Sequence, residues 1–137
     1  MDRLFVDTNI VIDLLQKRAE FYEDAQGLFT LADKRKVKLF ISSLTIANTH
    51  FILTKHYSTD DLRKVLAKFK VLVEVLPMDD KIIDLALTSD LRDFEDAIQY
   101  YTAIENNVDM IITRNKRDFT RQSIPIFTAK EYLTRNR

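Results

Sequence analysis

The chain has 137 residues, 46% of them apolar, enough to bury one sizeable core and too many for a disordered segment. Its 21 basic and 21 acidic residues cancel, which excludes a polybasic protein held on nucleic acid by bulk charge but leaves room for a local basic rim. There is no cysteine, and His50 and His56 are the two histidines, so disulfides, thiolate zinc sites, cysteine nucleophiles and multi-histidine cages are excluded together.

In chain order, the apolar run at residues 3–6 predicts a first strand, bounded by the turn-prone Asp7-Thr8-Asn9. A helix over about 9–17 follows, which Thr8 or Asn9 is placed to cap. Phe21, Ala25, Leu28, Phe29 and Ala32 recur at helical spacing and predict a helix over 20–35, closed by the basic run "DKRKVK", which suits the negative end of a helix dipole. "KLFIS", residues 38–42, reads as the second strand, and "SLTIANTHFILTKHY" as a helix capped by Ser43 or Thr45. "STDDLRKVLAKF" has a hydroxyl cap, acids in its first turn and lysines later, all helix signals. "VLVEVLP", residues 71–77, is the third strand, stopped by Pro77. "DDKIIDLALTS" and Asp93–Asn106 predict two more helices, "DMIIT" a fourth strand, "IPIFT" a short fifth, and "AKEYLTRN" a closing helix.

Gly27, Pro77 and Pro125 are the only glycine and prolines, and no repeat or flexible linker divides the chain, so one domain over 1–137 is expected. No apolar run approaches the roughly 20 residues needed to cross a bilayer, and "MDRLFVD" has no signal-peptide pattern. A cytoplasmic protein without a membrane partner is the expectation. Strands separated by helices predict an α/β fold with a parallel sheet of four to five strands and helices on both faces. In such sheets function gathers beyond the carboxyl ends of the strands.

That rule gives meaning to an aspartate inside "LFVDTNIVIDLL", because Asp7 stands where the first strand ends. Ser42, Ser43 and Thr45 follow the second strand, and Thr113, Arg114, Asn115 and Asp118 the fourth. Asp93 and Asp96, three apart, share one helix face, and Glu95 is expected to point elsewhere, about 100° per residue away. If their helix starts at the same edge, Asp7, Asp96 and Asp118 converge. Carboxylates gathered this way repel each other, and a divalent cation relieves the repulsion. Oxygen ligands without cysteine favour Mg²⁺ or Mn²⁺ over zinc, and such an ion activates water and neutralises a phosphoryl oxygen, so phosphodiester hydrolysis is the natural chemistry.

"FVDTNIVIDLL", "ISSLTIAN", "DFEDAIQYYTAIENNVDMIITRNKRDF" and "IPIFTAKEYL", in this order and spacing, resemble a PIN domain, and most the small bacterial ones of the VapC toxin type. The resemblance runs over residues 3–133 and implies a three-layer α/β/α sandwich and a Mg²⁺- or Mn²⁺-dependent endoribonuclease. Toxins of this kind cut tRNA, rRNA or mRNA, are usually homodimers, and are held inactive by a partner antitoxin protein. Asp7 matches the family's first acid, Asp96 the acid before the "Ala-Ile" pair, and Asp118 the acid of an "Arg-Asn-x-x-Asp-Phe" ending; other members carry an acid where this chain has Asn115. The departure is Asn48, where the family usually has glutamate: an amide oxygen still ligates a hard cation but adds no charge, so metal affinity should fall. Asp93, one turn before Asp96, is placed to supply the missing charge. The resulting expectation is a catalytic, metal-holding set of Asp7, Asp96 and Asp118, assisted by Asp93 and Asn48, with Thr8 at the turn and Asn115 or Thr113 orienting water or phosphate.

Each motif also has a structural explanation. Asp7-Thr8-Asn9 alone reads as an Asx-turn and helix cap, Asp93 as a cap, and Asn48 as a buried hydrogen-bonding amide. Tyr100 and Tyr101 suit core or dimer packing better than base stacking, and His50, two after Asn48, faces away from it. "DKRKVK" and the lysines at 55, 64, 68 and 70 suit a solvated face, or an RNA backbone. Asn48 also motivates an alternative function, a PIN-like RNA- or protein-binding module with weak or no catalysis. A phosphatase or receiver domain fits less well: the haloacid-dehalogenase-like pattern wants an aspartate where this chain has Asn9, and Gly27 is no phosphate-cradling loop.

Overall fold

Leu4 and Val6 point to one side of the first strand and Phe5 to the other, and all three are fully buried, so the strand is covered on both faces. The computed structural model describes residues 1–119 and 123–135, with the side chain of Asp118 outside that description. Its elements are β1 (Asp2–Val6), α1 (Thr8–Leu15), α2 (Tyr22–Asp33), β2 (Val37–Ser42), α3 (Ser43–Leu53), α4 (Thr59–Lys70), β3 (Val73–Leu76), α5 (Asp80–Leu87), α6 (Phe94–Glu105), β4 (Met110–Ile112), β5 (Ile126–Phe127) and α7 (Ala129–Arg135). A 3₁₀ turn at Lys116–Phe119, which periodicity does not predict, follows β4.

The described strands form one parallel sheet in the order β3-β2-β1-β4-β5. From β1 the chain steps outward to β2 and β3, then returns to the other side of β1 for β4. The direction of winding therefore reverses between β1 and β4, and that reversal opens a crevice at their carboxyl ends. Val6 pairs with Ile112, which places Asp7 beside Thr113 at its mouth.

The two sheet faces carry different layers. Leu4, Val6, Leu39, Ile41, Met110 and Ile112 pack against Ile10 and Val11 of α1, Leu28 and Phe29 of α2, and Tyr132 of α7. On the other face Phe5, Phe40 and Ile111 meet Tyr100 and Ala103 of α6, and α5 packs on α6 through Ile82, Ala86, Ala97 and Ile98. Leu53, Leu62 and Leu66 join α3 to α4. Fully burying each such aliphatic side chain contributes roughly 1.5–3 kcal/mol. The result is the three-layer α/β/α sandwich that the element pattern implies.

Several boundaries differ from the sequence expectation, each for a hydrogen-bonding reason. The α1 cap is Asp7 itself, extended at ψ 156°, rather than Thr8 or Asn9, and the α3 cap is Ser42, whose Oγ accepts from Thr45 N at 3.2 Å, rather than Ser43 or Thr45. Helix α3 stops at Leu53, where the N–H groups of His56 and Tyr57 both turn back to the Leu53 carbonyl. Val71, expected in β3, closes α4 instead, its N–H reaching the Lys68 carbonyl. Thr128 and Glu131 form a reciprocal box at the start of α7, each side chain accepting the other's N–H, at 3.1 and 2.9 Å. Among the described residues no helix is long and apolar enough to cross a membrane.

Candidate active site

Three helix N-termini meet at the carboxyl edge of the sheet, because α1, α3 and α6 are capped there by Asp7, Ser42 and Asp93. Between them lies a cleft of about 490 Å³ whose walls include Asp7, Thr8, Asn48, Glu95, Asp96, Gln99 and Asn115. Residues from four separate segments of the chain thus share one opening.

Asp7 is only 7% exposed, and its carboxylate is held by donors on every side. Oδ1 accepts the Thr8 N–H at 2.8 Å and Gln99 Nε2 at 3.3 Å; Oδ2 accepts Thr113 Oγ1 at 2.8 Å and Asn9 Nδ2 at 3.4 Å. This answers why a carboxylate is tolerated between a buried strand and a buried helix: hydrogen bonds replace the water it gives up.

Gln99 was not singled out by sequence reasoning, yet it ties the site together. Buried at 3% exposure, it accepts Ser42 Oγ at 2.5 Å and donates Nε2 to Thr45 at 2.9 Å and Thr8 at 3.2 Å as well as to Asp7. The signal that could have found it is spacing, since Gln99 lies three residues after Asp96 and so on the same helix face. Thr8 and Thr45 complete the network through hydroxyls 2.8 Å apart.

Four of the expected residues besides Asp7 stand in the cleft wall: Asp96, Asn48, Asn115 and Thr8. Glu95 stands there too, contrary to the expectation that it points elsewhere. In the first turn of α6 side chains lean toward the helix N-terminus, and that end faces the cleft, so neighbouring residues can both reach it. Asp93 is not in the wall; it is exposed, and its Oδ1 accepts the Asp96 N–H at 3.0 Å as the α6 cap. Thr113, expected to orient water or phosphate, is fully buried, and its hydroxyl instead donates to Asp7 while accepting the Asn115 N–H at 3.1 Å. His50 faces a separate apolar groove between α3 and α4, and Tyr100 is buried with its ring 5.1 Å from that of Tyr101. The side chain of Asp118, the third expected acid, lies outside the described residues.

Among the described residues no three carboxylate or imidazole groups stand together in a way that could hold an ion by themselves. What the cleft does offer is two aspartates, a glutamate and the amide oxygens of Asn48 and Asn115. An oxygen donor set of this kind, with no sulfur and no imidazole, fits a hard divalent cation.

The fold and cleft together define a parallel α/β protein with a carboxylate-bearing site at its topological switch. Residues 3–117 match the family model for the PIN domain, and the chain belongs to that family. Solved structures similar to it include a toxin-antitoxin complex from Klebsiella pneumoniae, at 24% identity and TM-score 0.68 over 92% of this chain and 97% of that one. VapBC2 from Rickettsia felis, bound to a DNA fragment from its promoter, matches at 21% identity and TM-score 0.67 over 91% and 96%. VapC20 from Mycobacterium tuberculosis, described as a Sarcin-Ricin loop cleaving toxin, matches at 16% identity and TM-score 0.62 over 79% and 86%. At such identities the likeness is one of fold. No curated protein sequence matches the chain significantly.

Proposed function

We propose that this protein is a Mg²⁺- or Mn²⁺-dependent endoribonuclease, acting in the cytoplasm as the toxin of a toxin-antitoxin pair. The observation that carries the reading is the meeting of Asp7 and Asp96, 89 positions apart in the chain, in one cleft lined with further oxygen donors. Asp7, Asp96 and Asp118 hold the cation, with Asn48 as a neutral oxygen ligand. When bound, the ion supplies an activated water and neutralises charge developing on the phosphoryl oxygens. The chain's own groups do the rest. Thr113, Gln99 and the Thr8 N–H fix the Asp7 carboxylate, and Asn115, exposed beside it, orients water or phosphate.

The partners follow from the same reading. The Klebsiella structure is a toxin-antitoxin complex, which supports an antitoxin as the partner here; a homodimer is the assembly that the resemblance to VapC-type toxins implies. Phe51, 78% exposed, and Ile52 lie at the cleft, an apolar rim that a protein partner would cover. Incubating the purified protein with total RNA tests the activity: cleavage should vanish with EDTA and return with Mn²⁺, and cleavage untouched by EDTA would refute the metal.

One observation favours a second reading. Asn48 places a neutral amide in the cleft wall, so a binding module with weak or no catalysis is the alternative. It predicts RNA or protein binding with no metal-dependent cutting at any Mn²⁺ concentration.

A further inference from the structure

Two arginines converge on one buried carboxylate beside the cleft. Asp13 is 1% exposed; it accepts Arg114 Nε at 2.8 Å and Nη2 at 3.1 Å, and Arg18 Nη1 stands 3.6 Å away. One negative charge shared by two positive ones leaves a surplus positive charge at this point. Arg114 is forked on Asp13 through Nε and Nη2, stacked 4.0 Å over the Phe21 ring, and lines a separate pocket. Arg18 is held less tightly. Its side chain is 39% exposed and lines the same cleft as Asp7 and Asp96, and its Nε donates to Gln16 Oε1 at 3.0 Å. Among the described residues these contacts leave its Nη2 uncommitted.

The backbone aims this side chain as well. Helix α1 ends with Gln16 as cap, Lys17 turns left-handed at φ 53°, and the Arg18 N–H returns to the Asp13 carbonyl at 3.2 Å while Lys17 N–H reaches Leu14 O at 3.3 Å. This is the Schellman closure, with a lysine in the position that glycine usually takes. A left-handed residue carrying a Cβ is disfavoured, and strain of this sort persists where surrounding contacts over-determine it. Arg18 is therefore held from both backbone and side chain, with part of its guanidinium presented to an acidic cleft.

We propose that Arg18 binds a backbone phosphate of single-stranded RNA lying in the cleft, adjacent to the phosphodiester at Asp7 and Asp96, and that Asp13 is its positioning residue. The identity of the ligand rests on the nuclease reading. A guanidinium forks onto phosphate oxygens, and an arginine already anchored loses little freedom on doing so. Because the whole chain has zero net charge, such a fixed local cation is what attracts a polyanion to a site lined by carboxylates.

The test uses a fluorescent single-stranded RNA oligonucleotide in Mg²⁺, bound to the Asp7→Asn protein with and without Arg18→Gln or Arg18→Lys. Arg18→Gln should weaken binding about tenfold and reduce the slope of log affinity against log salt by about 0.7, the value for one phosphate on a single strand. Arg18→Lys should keep the slope and lose part of the affinity, since a point charge lacks the fork. In the cutting-competent chain, Arg18→Gln should raise KM about tenfold with kcat within about threefold. A salt slope unchanged by Arg18→Gln overturns the proposal, even where RNA is cut normally. RNA bound with an Arg18-dependent slope but never cut overturns the nuclease reading and upholds the phosphate site. No RNA binding at all overturns the phosphate site.

Discussion

Asp7 and Gln99 separate two kinds of residue-scale claim. Asp7→Asn keeps the shape of the side chain, and because Thr113 Oγ1 can accept as well as donate, the loss of stability should stay near about 1 kcal/mol. Its effect on chemistry should be larger, a fall in metal-dependent cleavage of more than about a hundredfold. A folded Asp7→Asn protein that cuts RNA at the original rate contradicts the assignment. Gln99→Leu acts the other way. It strips partners from Ser42, Thr45, Thr8 and Asp7 inside the protein and should cost roughly 2–3 kcal/mol in urea denaturation, against under about 0.5 if the network were incidental. Asp7 was legible in the sequence because a carboxylate between two buried elements demands a reason. Gln99 was legible only through its place one turn after Asp96, because a glutamine inside a helix satisfies its polar pattern without any function, and its burial follows from the neighbouring segments.

At the scale of elements, α6 is held at both of its jobs by its first turn. The Asp93 cap supports the helix whose next residues, Glu95 and Asp96, face the cleft. Asp93→Ala should lower stability by about 1 kcal/mol, whereas Asp93→Asn, which caps equally well, should leave both stability and the Mn²⁺ dependence of cleavage within twofold or so. A large loss of metal affinity in Asp93→Asn would restore this residue as a ligand. Helix α7 is fastened to β1 by Tyr132, whose buried hydroxyl donates to Asp2 Oδ2 at 2.7 Å. Burial first, and the Asp2 bond second, raise its pKa above the usual phenol value. A raised folded pKa contributes stability that is complete below the unfolded value of about 10 and is lost as pH climbs through that value toward the folded one. Alkaline unfolding followed between neutral pH and that range should therefore show a decline that Tyr132→Phe flattens; parallel curves for the two proteins would contradict it. Helix type was readable from apolar spacing, as were the Ser58 cap of α4 and both ends of α6, but other ends were not, because Asp7, Ser42 and Val71 change duty with a single hydrogen bond that local pattern does not display.

Over the whole molecule, the succession of strands and helices was enough to predict a parallel sheet with two covered faces. The strand order was another matter. Periodicity marks Met110–Ile112 as a strand but does not say that it pairs beside β1. That pairing creates the reversal of winding, and with it the crevice that brings Asp7 toward the start of α6. The convergence of acids predicted from the sequence thus depended on topology: Asp7 and Asp96 do share the cleft, and Asp118 lies outside the described side chains. A protein partner seated on the exposed Phe51 and Ile52 would also cover the cleft, so if the proposed antitoxin binds there its complex should cut RNA more slowly than the free chain.

The most direct measurement is a Mn²⁺ titration of RNA cleavage by the wild-type chain and by Asp96→Asn, starting from EDTA-treated protein. Saturable recovery of cutting in the wild type, with Asp96→Asn inactive at the same Mn²⁺ concentrations, is the predicted result. Equal cleavage by the two proteins, or full wild-type cleavage before any metal is added, would contradict it.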